Sequence, residues 1–176
     1  MKIEPLCIRG AYRIEIEPVT DDRGFFARTW CADTFAALGL SAEPKQCSLS
    51  FNARRGTLRG MHWQAAPFAE AKLVRCTQGA LYDVLLDLRS GSPTCGQWTA
   101  VELTAVNRRA VYVPEGVAHG FQTLVDGTEA LYLISEPYRP EMARGVRWDD
   151  PAFGIAWPDG PRTISERDLA FPDWQP

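Results

Sequence analysis

The stretch AKLVRCTQGALYDVLLDLRSGSPTCGQWTAVELT, residues 71–104, decides the fold. It holds three short runs, AKLVRCTQG, ALYDVLLDLR and QWTAVELT, the last two separated by the turn-forming cluster RSGSPTCG. Apolar and polar residues alternate along much of it, the period of a half-buried strand. Working outward, RIEIEPV, TLRGMHWQ, RAVYVPEG, AHGFQTLV and EALYLISE read as further strands, and PEGVAHG and VDGTE as further turns. With 13 prolines and 14 glycines in 176 residues, the chain favours short strands and turns over long helices. Strands this numerous and this closely spaced predict an all-β barrel or jelly roll.

Two short helices flank them. CADTFAALGL, residues 31–40, predicts one, with Asp33 as its cap and Gly39 as its stop, and SERD, residues 165–168, opens another. The proline- and aromatic-rich residues 138–176 are expected to wrap over the barrel. The length suits one domain, residues 1–176. Apolar residues at 45% and charged residues at 23% match a globular protein in water. The start lacks a signal-peptide pattern and no window is apolar enough for a membrane span. The five cysteines form no CxxC pair, which fits a reducing cytoplasm. A net charge of −3 argues against nucleic acid as a partner. Arg23, Arg28, Arg54, Arg55, Arg59, Lys72 and Arg75 nonetheless concentrate basic charge; where several converge, they would attract an anion.

The segment VPEGVAHGF, residues 113–121, has the form P-x-G-x-x-H and, with the strand that carries His62, resembles the cupin barrel. Metal-binding cupins use an H-x-H pair, a glutamate and a third histidine. Only His62 and His119 are present here, so no metal site is expected. His62 then reads either as a hydrogen-bonded core histidine or as an acid or base, imidazole being the side chain that titrates near neutrality. Alternation aims Lys72 to the side of Val74 and Cys76, unless it is an edge lysine guarding against aggregation. Asp83 shares a face with Leu81, Leu85 and Asp87, a mixed face on which it is either inward or merely solvated. Tyr132 shares one with Ala130 and Ile134, the setting of a core tyrosine or of a proton donor. Arg59 and His62 are three apart and would face opposite sides of a regular strand, so a bulge is expected at Gly60.

The runs DDRGFF, GTLRGMHWQ, KLVRC, LYDVLLDLRSGSPTCGQW, VPEGVAHGF, ALYLISEPYRPEMARGVRWDDPAFGIAWP and ISERD, in this order and nearly end to end, resemble the dTDP-4-dehydrorhamnose 3,5-epimerase (RmlC-like) family of sugar nucleotide epimerases. The resemblance implies a cupin-type jelly-roll barrel with short flanking helices, no cofactor, and a homodimer whose barrels exchange strands, YRIEIEPV being the candidate for exchange. It makes His62 the base, Asp168 its paired carboxylate, Tyr132 the donor on the opposite face of the sugar and Lys72 the neighbour of the keto oxygen. Arg23, Arg59 and His119 match substrate contacts, the arginines suited to the diphosphate, and Phe26 and Tyr138 match aromatics near the base. Gln46, Ser48 and Arg167 match further substrate-binding positions, with Asp83 in support.

The implied substrate is a nucleotide-diphosphate 4-keto sugar, first of all dTDP-4-dehydro-6-deoxy-D-glucose, epimerised at C3, C5 or both to give dTDP-4-dehydro-L-rhamnose for deoxysugar biosynthesis. Two departures bear on the nucleotide. Arg28 stands where the family usually has glutamate, and QCSLS, residues 46–50, where it usually has QDNHS. Guanosine or cytidine diphosphate sugars, a heptose, a keto-sugar 3,4-isomerase and a silent sugar-nucleotide-binding barrel stay open as alternatives.

Overall fold

The computed structural model describes residues 1–41 and 43–175. One sheet has six strands, in the order β1 (Lys2–Pro5), β2 (Tyr12–Glu15), β10 (Ala110–Val113), β7 (Lys72–Gln78), β12 (Thr128–Ile134) and β5 (Gln46–Asn52). The other has five: β13 (Ala143–Gly145), β6 (Leu58–Gln64), β11 (Val117–Thr123), β8 (Ala80–Asp87) and β9 (Trp98–Thr104). All of these pairings are antiparallel. The sheets face each other as a jelly-roll barrel. Its core takes alternate residues from both: Val74, Cys76, Val111 and Ala130 from the first meet Leu81, Leu85, Leu103 and Phe121 from the second. The hydrophobic effect at this interface, about 1.5–3 kcal/mol for each large side chain, holds the two layers together.

The outer faces are covered differently. Helix α1 (Ala32–Ala37) lays Phe35 over Ile14, Leu73 and Tyr112 on the six-stranded sheet. The C-terminal segment places Val146, Trp148, Trp157 and Trp174 over Leu58, Val84 and Leu86 on the five-stranded one, the expected wrap. Asp33 does not cap α1. The extended residue at that position is Cys31, and Asp33 lies in the first turn, where a carboxylate still complements the helix N-terminus. Gly39 ends the helix as expected, its N–H donating to Ala36 O at 2.9 Å from a φ of +69°. Among the described residues no helix is long and apolar enough to cross a membrane.

Five strands, β1, β5, β13 and the two arms of a hairpin, β3 (Val19–Asp21) and β4 (Gly24–Phe26), lie outside the runs read from sequence. Within the chain β2, the first half of YRIEIEPV, is flanked by β1 and β10 and is not an edge strand. Lys72 is no edge lysine either, since β7 runs between β10 and β12.

Candidate active site

The site begins at an irregularity in β6. Between the pairs His119↔His62 and Phe121↔Arg59, β11 advances two residues while β6 advances three, so β6 carries one extra residue. Gly60 accommodates it with a φ of +125°. A methyl group on Gly60 would lie 2.5 Å from Gly120 Cα, so the two strands approach at glycine against glycine. The bulge turns Arg59 and His62 toward the same cavity, as Gly60 foretold.

That cavity, about 390 Å³, opens between the sheets and receives His62, Lys72, Tyr132, His119, Arg59 and Asp168. His62 Nε2 lies 2.7 Å from Asp168 Oδ1. Asp168 is held by two further hydrogen bonds: the Gly60 N–H donates to its Oδ2 at 3.2 Å, and its own N–H donates at 3.1 Å to Ser165 Oγ, the cap of α2 (Glu166–Leu169). The Phe171 ring stands edge-on to His62 with centroids 5.8 Å apart. Burial works to raise the Asp168 carboxyl, but the hydrogen bond and charge of His62, with the Gly60 and Ser165 contacts, hold it below the ordinary carboxylate range.

Across the cavity, Tyr132 projects from β12 in the opposite sheet. Burial drives its hydroxyl well above the ordinary phenol range, with the charge of Asp83 adding to the effect and Arg59 opposing it, so it stays protonated. Lys72, on β7 beside it, donates to the His62 carbonyl at 3.5 Å and pairs with Glu70 at 3.0 Å. Arg59 is aimed by Asn52: its Nε donates to Asn52 Oδ1 at 2.8 Å, while the buried Asn52 amide donates to the carbonyls of Ser50 and Thr128. Ser48 and Arg167 also line the cavity. Of the basic residues clustered between positions 20 and 80, only Arg59 and Lys72 reach it, and Arg167 joins them.

Asp83 is neither solvated nor peripheral. It is fully buried behind the cavity, with Oδ2 2.8 Å from His119 Nε2 and Oδ1 without a partner among the described residues. The sequence reading left this open because Asp83 alternates with leucines on a face that also carries Asp87. Asp87 is occupied elsewhere, accepting from Arg89, Ser92 and Thr94 in the following turn. Gln46 accepts from the Tyr138 N–H at 2.7 Å, and Tyr138 lines a side chamber of about 190 Å³ that shares His62, Lys72 and Arg167 with the main cavity.

Arg23 and Phe26 are not brought to this site within the chain. They lie on the β3–β4 hairpin, around a separate hollow with Val19, Asp21, Gly24 and Phe25. Arg23 pairs with Asp21, and Phe26 is 77% exposed. Sequence reasoning in turn missed Asn52 and Glu70. Asn52 lay in an unrecognised strand, whereas Glu70, two residues before Lys72, shares its alternation and was readable. Among the described residues no group of three or more histidine, cysteine or acidic side chains is placed to hold a metal ion.

Residues 5–175 match the family model described as dTDP-4-dehydrorhamnose 3,5-epimerase. The chain is similar to the dTDP-4-dehydrorhamnose 3,5-epimerase of Sinorhizobium fredii (strain NBRC 101917 / NGR234), 42% identical over 177 residues that cover 98% of this chain and 89% of the relative. It is also similar to the dTDP-4-dehydrorhamnose 3-epimerase of Streptomyces niveus, 42% identical over 169 residues that cover 96% of this chain and 81% of the relative. The crystal structure of dTDP-4-dehydrorhamnose 3,5-epimerase from Elizabethkingia anophelis NUHP1 superposes with a TM-score of 0.96 at 34% identity, covering 99% of this chain and 96% of that one. A match that runs from the end of β1 through both histidine strands to the C-terminal segment assigns the chain to the dTDP-4-dehydrorhamnose 3,5-epimerase family.

Proposed function

We propose that the protein is a cofactor-independent epimerase acting at C3, C5 or both of a dTDP-linked 4-keto-6-deoxy sugar. The observation that carries this reading is the placement of a base and an acid on opposing sheets: the His62–Asp168 pair on one side of the cavity and Tyr132 on the other. The ketone at C4 acidifies the hydrogens on C3 and C5. With Nε2 engaged by Asp168, Nδ1 of His62 is the nitrogen left to take such a proton, and the carboxylate favours the imidazolium that results. The electrons move onto O4, where the Lys72 ammonium meets the enolate; a preorganised contact of this kind is worth about 2.7–4 kcal/mol in the transition state. Tyr132 then delivers its proton from the opposite face, and the centre is inverted.

The anionic part of the substrate is served by Arg59 and Arg167 at the cavity wall. Arg23 and Phe26 complete the nucleotide contacts from a partner copy. Their hairpin and strand β5, the edge of its sheet, both expose apolar side chains, Phe26 and Val19 on the first and Leu49 and Phe51 on the second. A homodimer pairing such surfaces brings hairpin residues to a neighbouring cavity. The working compartment is the cytoplasm, where nucleotide sugars and free thiols coexist.

Incubation with dTDP-, GDP- and CDP-linked 4-keto sugars in deuterated water, followed by NMR, tests the reading. The expected result is deuterium at C3 or C5 with inverted product, fastest with the dTDP sugar. Absence of exchange with all three defeats it, and carbonyl migration from C4 to C3 replaces it by a keto-sugar isomerase.

A further inference from the structure

Glu70 stands just ahead of β7, on the same side of the chain as Lys72. Its carboxylate lies 3.0 Å from the Lys72 ammonium, and the two side chains are only 10% and 11% exposed. Both line the side chamber, with His62 and Arg167. Lys72 has a backbone fixed by pairing on either side, to Val113 of β10 and Ile134 of β12. Its freedom resides in the four-carbon stem, which lets an ammonium wander unless its end is tethered. Two tethers are present, the Glu70 carboxylate and the His62 carbonyl at 3.5 Å. An ammonium has three donors. The two tethers leave one for the main cavity, where Lys72 stands with His62 and Tyr132.

We infer that Glu70 is a positioning residue for Lys72: it holds the ammonium in place before substrate arrives and balances a charge withdrawn from water. The inference rests on the epimerase reading above. Glu70 touches neither the proton that moves nor the atom that loses it. Its effect is on the placement of the enolate's cation, so its removal slows enolate formation and leaves nucleotide binding alone. Generic disturbance of the barrel has a different signature, weakening binding and stability together.

The experiment measures solvent deuterium incorporation, kcat and KM on the dTDP-linked 4-keto sugar for the wild type, Glu70→Gln and Glu70→Asp, with dTDP affinity and thermal unfolding alongside. Glu70→Gln removes the charge at nearly constant shape; the expected loss of exchange is about tenfold to a hundredfold, the range over which misplacing a catalytic group acts. KM and dTDP affinity stay within about twofold of wild type, the split expected of an interaction made in the transition state. Glu70→Asp keeps the charge one methylene short and recovers part of the rate. Exchange in Glu70→Gln equal to wild type overturns the inference. So does a loss shared equally by rate, dTDP affinity and melting temperature, or unfolding of both variants, either of which assigns Glu70 to the fold alone. Wild-type protein that exchanges no deuterium removes the epimerase reading and this inference with it; wild-type exchange beside an unaffected Glu70→Gln removes this inference only.

Discussion

The molecule contains two histidine–aspartate pairs of nearly equal length, side by side on neighbouring strands. His62–Asp168 spans 2.7 Å and His119–Asp83 spans 2.8 Å, and His62 and His119 are cross-strand partners between β6 and β11. They differ in solvent. The His62 side chain is 38% exposed toward the cavity and that of His119 only 5%. They differ also in what steadies the carboxylate. Asp168 receives the Gly60 N–H in addition to its histidine, and its carboxyl is held low. Asp83 has one oxygen with no partner among the described residues, and burial pushes its carboxyl up despite the opposing charges of His119 and Lys72. The same two residue types thus make a half-exposed imidazole pair in one place and a buried pair in the other. A histidine–aspartate distance by itself does not distinguish the two pairs; the exposure of the ring and the partners of the carboxylate do.

Breaking the open pair is expected to have the largest effect. His62→Ala should abolish solvent exchange and epimerisation together, because no enolate forms, with losses on the order of the 10²–10⁴-fold typical of a general base. Tyr132→Phe should lose inverted product on a similar scale while His62 still exchanges deuterium with configuration retained. NMR of the product in deuterated water reads both. Equal loss of exchange and inversion in the two variants contradicts the division of labour between opposing sheets.

Breaking the closed pair should act mainly on folding. His119→Ala leaves the fully buried Asp83 carboxyl without its hydrogen-bond partner, a loss that typically costs about 1–3 kcal/mol. Urea unfolding measures it, and a variant as stable as wild type would mean that the pair carries no such role. The two carboxylates should also respond oppositely to pH. Folding lowers Asp168, so its contribution is complete above the ordinary aspartate value of about 3.9 and is lost as pH falls through the folded value. Folding raises Asp83, so its contribution is favourable at low pH and is lost as pH rises from about 3.9 through its folded value. Asp168→Asn should therefore flatten the acid side of the stability curve, and Asp83→Asn the rise-side loss. Identical curves for the two variants would erase the distinction between the pairs.

Much of this contrast was legible in the sequence, and for identifiable reasons. The runs around Val74, Leu85, Leu103 and Phe121 are short, apolar-rich and bounded by turn residues, and alternate over part of their length, so the barrel could be read from them. Gly60 between Arg59 and His62 signalled the bulge, because two functional side chains at odd spacing need a break in the pleat. Strand β5 was missed because QCSLSFN alternates weakly and lies mostly exposed at a sheet edge, where burial imposes no apolar pattern. Asp83 was undecidable because alternation fixes a face and says nothing of what stands opposite; His119 lies 36 residues away and is brought to it by pairing of β11 with β8. Arg23 and Phe26 show the remaining limit. Their motif was recognisable, but the fold carries it on the β3–β4 hairpin, around a hollow separate from the cavity, and a motif does not say where its hairpin will lie.

The smallest expected effect lies on the open side of the comparison, at Asn52. Its amide is buried and fixed by the Ser50 and Thr128 carbonyls, so its oxygen has one orientation, toward Arg59 Nε. Arg59 itself is exposed and lines the cavity, and among the described residues only its Nε is engaged. A hydrogen bond to a charged group contributes about 1.5–3 kcal/mol when sheltered, and less where water competes. Asn52→Ala should therefore raise KM for the nucleotide sugar by about threefold to tenfold, roughly 0.6–1.4 kcal/mol, as Arg59 samples other rotamers. The turnover number should hold, because His62, Lys72 and Tyr132 are untouched and the diphosphate is bound equally in ground and transition states. Steady-state kinetics separates the two. A fall in kcat at constant KM would place Arg59 at the reacting sugar instead of the diphosphate, and would move the boundary between binding and chemistry across the bulge at Gly60.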